Sequence, residues 1–311
     1  MRLKILGSAA GGGFPQWNCS CRNCAGFRAG TLRSKSRTQT QIAFSPVPEV
    51  WFLVGASPDL RSQITMTPEF APDPQNLGRS PIAGVFLSSA DVDSVMGLLH
   101  LREFQSFFVF ATPAVERFLK KENRIFRVLD RADPPVQWQM LSSRGRFGCH
   151  LSENHGAPPT FFYRSIPVGG SYPDYTSEEF RRSTTADEVT VGLLLEQDNR
   201  KIFIAPSLSG RSREWIKAAQ SADLVLLDGT FWSDDELSQT GRTQKTATEL
   251  GHLPLSGPEG LLEQYPKNAK GRKILLHINN TNPILDEESA EHRTVLEAGY
   301  EIAYDGMTID L

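Results

Sequence analysis

Cys19, Cys21 and Cys24 lie within six residues, in Gly11-Gly-Gly-Phe-Pro-Gln-Trp-Asn-Cys-Ser-Cys-Arg-Asn-Cys24. The only other cysteine is Cys149. A C-x-C-x-x-C cluster brings three thiolates to one small volume, most of what a tetrahedral zinc ion needs. A closed site requires a fourth ligand, so the cluster predicts a tie to a distant part of the chain. Three unlinked thiols are the plain alternative. A disulfide suits the cluster poorly, because the chain reads as cytosolic.

Three apolar runs end in polar groups. Leu87 is followed by Ser88-Ser-Ala-Asp-Val-Asp-Ser94, Leu227 by Asp228-Gly-Thr-Phe-Trp232, and Leu276 by His277-Ile-Asn-Asn-Thr-Asn282. An apolar strand finishing in Asp or His places that group at a sheet edge, where sites form in layered α/β folds. One such Asp is as often a helix cap; three strand ends in one chain point to a shared site. Gly11, Gly12 and Gly13 form a donor-rich loop whose N–H groups could meet a ligand carboxylate. A tight turn needing positive φ explains the same glycines equally well. Lys245 and Arg61 are candidate carboxylate partners, or solvated surface charges.

The elements that must position these groups alternate between short strands and helices. Met1 to Leu6 reads as a first strand running into the glycine loop. Gln39 to Phe44 and Glu49 to Val54 are candidate antiparallel strands, and Pro58 to Met66 is a helix capped at Ser57. Ile82 to Leu87 is a buried strand, Asp91 to Leu101 a helix, Phe107 to Ala111 a strand, and Pro113 opens another helix. The stretch from Asn123 to Asn154 reads as irregular. Phe161 to Val168 is a strand, and Glu188 to Glu196 pairs with Lys201 to Ala205 as a hairpin. Arg211 to Ala219 is a helix, and Leu224 to Leu227 and Lys273 to His277 are buried strands. Glu287 to Ala298 is a helix, and Glu301 to Tyr304 is the last clear strand. No repeat or linker is visible. The pattern predicts one domain over residues 1–311, with two mixed sheets packed face to face and flanked by helices.

Composition narrows the function classes. Of the 311 residues, 39% are hydrophobic and 22% charged, which is ordinary for a globular protein. The net charge of −3 leaves no footprint for nucleic acid or an anionic membrane. No apolar run reaches the length of a membrane span, and the N-terminus is too short for a signal-peptide core. These features predict a cytoplasmic protein; a homodimer is left open.

The longer motifs carry a resemblance. They are Gly7-Ser-Ala-Ala-Gly-Gly-Gly-Phe-Pro-Gln-Trp-Asn-Cys19, Val54-Gly-Ala-Ser-Pro-Asp-Leu-Arg61, Asp93-Ser-Val-Met-Gly-Leu-Leu99 and Leu227-Asp-Gly-Thr-Phe-Trp232. Lys245-Thr-Ala-Thr-Glu-Leu-Gly-His-Leu-Pro-Leu-Ser-Gly257, His277-Ile-Asn-Asn-Thr-Asn-Pro-Ile284 and Asp305-Gly-Met307 complete the set. Over nearly its whole length the chain resembles the pyrroloquinoline quinone (PQQ) biosynthesis protein B family of the metallo-β-lactamase fold. The resemblance implies an αββα sandwich and a place in PQQ biosynthesis.

The departures are equally specific. The His-x-His-x-Asp-His segment of dinuclear hydrolases reads Ser89-Ala-Asp-Val-Asp-Ser94 here, so only Asp93 matches. Most members of the PQQ family keep a histidine where this chain has Ser94. Gly169 and Gly170 stand near the place of a later histidine, and Pro206 near that of the metal-bridging aspartate. A dinuclear zinc hydrolase cannot be assembled from these positions. Asp91, Asp93, Asp228, His252 and His277 could still converge. One carboxylate with two histidines is the donor set of a mononuclear non-haem iron oxygenase, and Asp93, His252 and His277 are the expected ligands of one Fe(II). Structural hydrogen bonding is the alternative for His252 and for Asp93. In phosphodiesterases of this fold the cysteine cluster is completed by a histidine at the position of Asn280, so Asn280, a water or a nearby histidine is the fourth contact to a structural zinc. His100, His150, His155 and His292 have no supporting motif.

Three readings follow from the resemblance. The first is an iron-dependent hydroxylase of the tyrosine part of a Glu–Tyr-derived PQQ precursor. The second is a non-catalytic carrier of PQQ or a precursor, with a part in its transport toward the periplasm. The third, a phosphodiesterase, is disfavoured by the missing histidines.

Overall fold

The computed structural model describes residues 1–75, 79–151, 159–210, 212–241, 243–265 and 269–311. The first sheet contains β1 (Arg2–Gly7), β2 (Gln41–Val47), β3 (Val50–Val54), β4 (Ile82–Phe86), β5 (Phe108–Ala111) and β6 (Gln137–Met140). The second contains β7 (Phe147–Cys149), β8 (Phe161–Pro167), β9 (Val191–Gln197), β10 (Arg200–Ala205), β11 (Leu224–Asp228), β12 (Arg272–Leu276) and β13 (Tyr300–Ile302). The chain then returns to the first sheet as β14 (Met307–Asp310), beside β1. The orders are β14-β1-β2-β3-β4-β5-β6 and β13-β12-β11-β10-β9-β8-β7. Each sheet has three antiparallel pairings followed by three parallel ones. The architecture is the expected αββα sandwich with two mixed sheets.

Side-chain alternation explains how both sheets are buried on two faces. In β11, Leu224 and Leu226 point into the layer between the sheets, while Val225 and Leu227 pack beneath the outer helices. An unbroken apolar run is what a central parallel strand requires. Outside the second sheet, the helix Arg213–Gln220 lays Trp215, Ala218 and Ala219 on the core, and the Ser212 hydroxyl accepts from the N–H groups of Glu214 and Trp215. Between the sheets, Phe52 meets Phe44, Phe86, Phe110 and Phe161 with ring centroids 5.2–6.0 Å apart.

Several local expectations change. The helix after β3 spans Leu60–Thr65 with Asp59 at its cap position. Ser57 is instead buried and donates to Gln63 Oε1 at 2.8 Å. The expected helix from Asp91 is α-helical only over Val92–Val95 and tightens to 3₁₀ over Met96–Leu101. The stretch expected to be irregular contains β6 and β7; both are short sheet-edge strands with little apolar alternation. Glu188 and Val189 end the short helix Ala186–Val189 rather than opening β9. A further strand, β14, follows the one read as last. Arg211 and His155, named in the sequence reading, lie outside the described residues.

The parallel strands of each sheet end at one common edge, and the loops leaving β3, β4, β10, β11 and β12 meet there. Phe52→Ala tests how far the layer beneath this edge holds the sandwich. The side chain is fully buried, so its loss should destabilise the protein by about 3–5 kcal/mol in equilibrium denaturant unfolding.

Candidate functional site

The loops at this edge enclose a cleft of about 460 Å³, lined by Gly11, Asp91, Asp93, Ser94, Thr230, Lys245, His252 and His277 among others. Asp93 enters from the start of the short helix after β4, and His277 directly follows β12. The Asp93 Oδ2 to His277 Nε2 distance is 2.8 Å. His277 Nδ1 lies 2.8 Å from the Thr230 hydroxyl. His252 comes from the loop after Gly251 and sets Nδ1 2.7 Å from Asp228 Oδ2. The two imidazole rings stack with centroids 5.2 Å apart. Asp228, His252 and His277 each offer a ligand atom within 4.8 Å of the others.

Asp228 is fully buried and accepts from every side. The Leu208 and Thr230 N–H groups donate to it at 2.9 Å, and the Thr230 hydroxyl at 2.6 Å. Burial opposes its charge, but the charge and hydrogen bond of His252 hold the carboxyl below the usual range. Burial likewise opposes the charge on Asp93, and the hydrogen bond from His277 outweighs it. For His277, burial favours the neutral ring, yet Asp93 raises its basicity. Asp91 has no such partner: burial, with Asp93 adding repulsion, pushes its carboxyl up to about 6. His277 has φ of 60°, a conformation uncommon for a non-glycine residue.

The three thiols of the cluster converge, all within ligand reach of one another. Asn280 closes the triangle, its side-chain amide 3.1 Å from Cys19 Sγ and 3.5 Å from both Cys21 Sγ and Cys24 Sγ. Burial pushes the Cys24 thiol up to about 11, so a cation entering here must displace protons. Asn23 Nδ2 donates to the carbonyls of Asn280 and Asn282 at 3.1 and 2.9 Å. Asn282 Nδ2 in turn donates to the carbonyls of Gly229 and Thr230 at 3.0 and 3.2 Å. The cysteine cluster and His277 therefore share one loop, which also supports the Thr230 turn between the histidines.

Of the residues selected from sequence, Asp93, Asp228, His252 and His277 come together. Gly11 and Lys245 line the cleft, Lys245 at its exposed rim. Gly12 and Gly13 are not in its lining; their φ values of 92° and 67° mark the tight turn that was the alternative reading. Arg61 stands on the exposed side of its helix and does not line the cleft either. His100 and His150 are exposed, and His292 Nδ1 pairs with the Ile284 carbonyl. Pro206, near the place of the family's bridging aspartate, does line the cleft.

Thr230 and Asn282 are the functional residues the sequence reading passed over. Their motifs were visible, but a hydroxyl and an amide carry no charge signal. Asn282 is fully buried, and Asn282→Ala leaves the Gly229 carbonyl without its amide donor. The substitution should cost about 1–3 kcal/mol, measured by urea unfolding.

Comparison with known proteins gives the family. Residues 50–278 match the model of the Beta-lactamase superfamily domain. The chain is 39% identical over 313 residues to coenzyme PQQ synthesis protein B of Pseudomonas putida (strain GB-1), covering 100% of both chains. It is 40% identical over 319 residues to the protein of the same name from Azoarcus sp. (strain BH72), again covering 100% of both. The crystal structure of Zn(2+)-bound PqqB from Methylobacterium extorquens superposes with a TM-score of 0.88 at 36% identity, over 100% of each chain. The chain thus belongs to the coenzyme PQQ synthesis protein B family, within the β-lactamase superfamily.

Proposed function

We propose that this chain acts in PQQ synthesis as a mononuclear iron hydroxylase of a Glu–Tyr-derived precursor, with Asp93, His252 and His277 as the metal donors. The observation that carries the reading is the meeting of one carboxylate and two imidazoles at a single cleft, in a chain whose relatives are named for PQQ synthesis. The donor chemistry fits Fe(II). Asp93 Oδ2 and His277 Nε2, 2.8 Å apart, would hold the metal together with His252. When bound, the iron would supply activation of O₂. Asp228 does not line the cleft; it orients His252 through Nδ1, the role a carboxylate commonly plays behind a metal-bound histidine. Phe231 is buried and meets the His252 ring edge-on at 5.7 Å, which limits water on that side. Asp91 is the cleft group best matched to exchange a proton near neutral pH.

The lining favours this reading over a carrier for PQQ. Its acidic side chains are Asp91, Asp93, Asp174 and Glu249, against the single lysine Lys245. A cleft so charged suits a polycarboxylate quinone poorly; a Glu–Tyr-derived precursor carries carboxylates too, but adds ammonium groups that such a lining attracts. The cysteine cluster with Asn280 is proposed as a structural zinc site, supported by the thiol spacing and by the Zn-bound relative. Turning the Asn280 amide about its last torsion would present oxygen to the cation in place of nitrogen. A thiolate site of this kind suits a reducing compartment, and the cytoplasm is the location proposed.

Two measurements test these assignments. Elemental analysis of protein purified without added metal should find one tightly held zinc per chain. Cys21→Ser should release it and lower Tm by on the order of 5–10 °C; full zinc content with unchanged Tm would remove the zinc assignment. Anaerobically loaded Fe(II) protein, given a Glu–Tyr precursor, O₂ and a reductant, should consume O₂ and yield hydroxylated product. His277→Ala should reduce that rate by at least ~100-fold, and Ser94→His should tighten Fe(II) binding roughly tenfold. Precursor binding without iron-dependent turnover would favour the carrier.

A further inference from the structure

We infer that the Thr230 hydroxyl decides which nitrogen of each cleft histidine is offered to a cation, and that it closes the opposite face of the pair. The inference rests on the reading of His252 and His277 as metal ligands and does not depend on the reaction performed there.

Thr230 Oγ1 is surrounded by three groups with metal-like mutual spacing. It lies 2.6 Å from Asp228 Oδ1, 2.8 Å from His277 Nδ1 and 3.1 Å from His252 Nδ1. Asp228, His252 and His277 are also the set whose ligand atoms fall within 4.8 Å of one another. Taken alone, that set invites a cation on the Nδ1 side, and the hydroxyl already stands there.

Counting protons fixes the arrangement. Asp228 receives backbone N–H groups from Leu208 and Thr230, so its carboxylate is an acceptor. The single Thr230 proton is therefore given to Asp228 Oδ1. With that proton spent, Thr230 Oγ1 can only accept from His277, which must carry its proton on Nδ1. His252 Nδ1, 2.7 Å from Asp228 Oδ2, must carry its proton there as well. Both rings then present Nε2 rather than Nδ1 to a cation, which at His277 takes the place of the proton shared between Nε2 and Asp93. His277 Nε2 is the atom 2.8 Å from Asp93, at the cleft. The cation is thereby directed to the Asp93 side of the histidines, away from Asp228.

The hydroxyl is itself held in place. The Thr230 carbonyl accepts from Asn279 N at 3.1 Å and from Asn282 Nδ2 at 3.2 Å. Its backbone N–H is bound to Asp228. Thr230 is a positioning residue, since it acts through the two imidazoles and through Asp228.

The test uses full-length protein with its cysteine site filled with zinc, ¹⁵N-labelled at histidine and titrated with ¹¹³Cd(II). Wild type and Thr230→Ser should show cadmium–nitrogen couplings only to Nε2 of His252 and His277. Thr230→Val keeps the side-chain shape and removes the hydroxyl. It should weaken cadmium and Fe(II) binding by about 10–100-fold and lose the exclusive Nε2 pattern. Coupling to Nδ1 in wild type would overturn the inference, as would a valine variant with wild-type affinity and pattern. If the valine variant does not fold, Thr230→Ser decides alone: weakened binding with the hydroxyl retained would count against the role given to it. Absence of hydroxylase activity in wild type would remove the proposed reaction and leave these couplings unaffected.

Discussion

The peptide groups of Ile278 pin the two sheets together where the cleft opens. Its N–H donates to the Ser8 carbonyl at 3.0 Å, and its carbonyl accepts from Ala10 N at 2.9 Å. Ser8 and Ala10 follow β1 of the first sheet, and Ile278 follows β12 of the second. His277 precedes this clamp, which holds it at a φ of 60° that a free histidine would seldom adopt. Asn280 and Asn282 follow it, one against the cysteines and the other beneath Thr230. His277, the Asn280 contact with the thiols and the Asn282 bond beneath Thr230 all take their positions from this short crossing of backbone.

Stability and site chemistry draw on separate parts of the molecule. The aromatic layer around Phe52, with Leu224 and Leu226 of β11 and Ile274 and Leu276 of β12, lies between the sheets. The loss of the histidines typical of this superfamily therefore leaves the sandwich intact, as expected when a fold is carried by its core and a function by residues grafted at its edge. Ser94 sits in the cleft lining one residue beyond Asp93, where a side-chain change alters what can be bound without touching the core.

Much of this arrangement was legible in the residues. Apolar runs such as Leu224 to Leu227 have no polar face and had to be central strands; the Asp and His that follow them had to lie at an edge. The C-x-C-x-x-C spacing announced convergent thiols, and Asn280 is the distant residue whose amide meets them. What stayed hidden depended on partners distant in sequence. Ser57 has the chemistry of a cap, but Gln63 takes its hydroxyl. Gln137 to Met140 lacks an apolar alternation because β6 is an edge strand and only partly buried. Arg61 looked like a ligand for a carboxylate until the phase of its helix turned it to solvent. Thr230 gave no signal, because its importance comes from lying between two histidines 22 and 47 residues away.

The pairing pattern of the sheets places the cleft in an unexpected light. Both sheets run through three antiparallel and then three parallel pairings, so strands can be matched one to one from β14 and β7 onward. On that matching β4 corresponds to β11; Asp228 is the last residue of β11, while Asp93 stands in the short helix that follows β4. The two carboxylates thus come from matched strands whose sequences share no visible repeat, and each pairs with one of the two histidines. The two differ in their chemistry: Asp93 faces the cleft, while Asp228 is sealed behind the His252 imidazole. Two sheets of matching strand pattern thus meet at a single, one-sided centre.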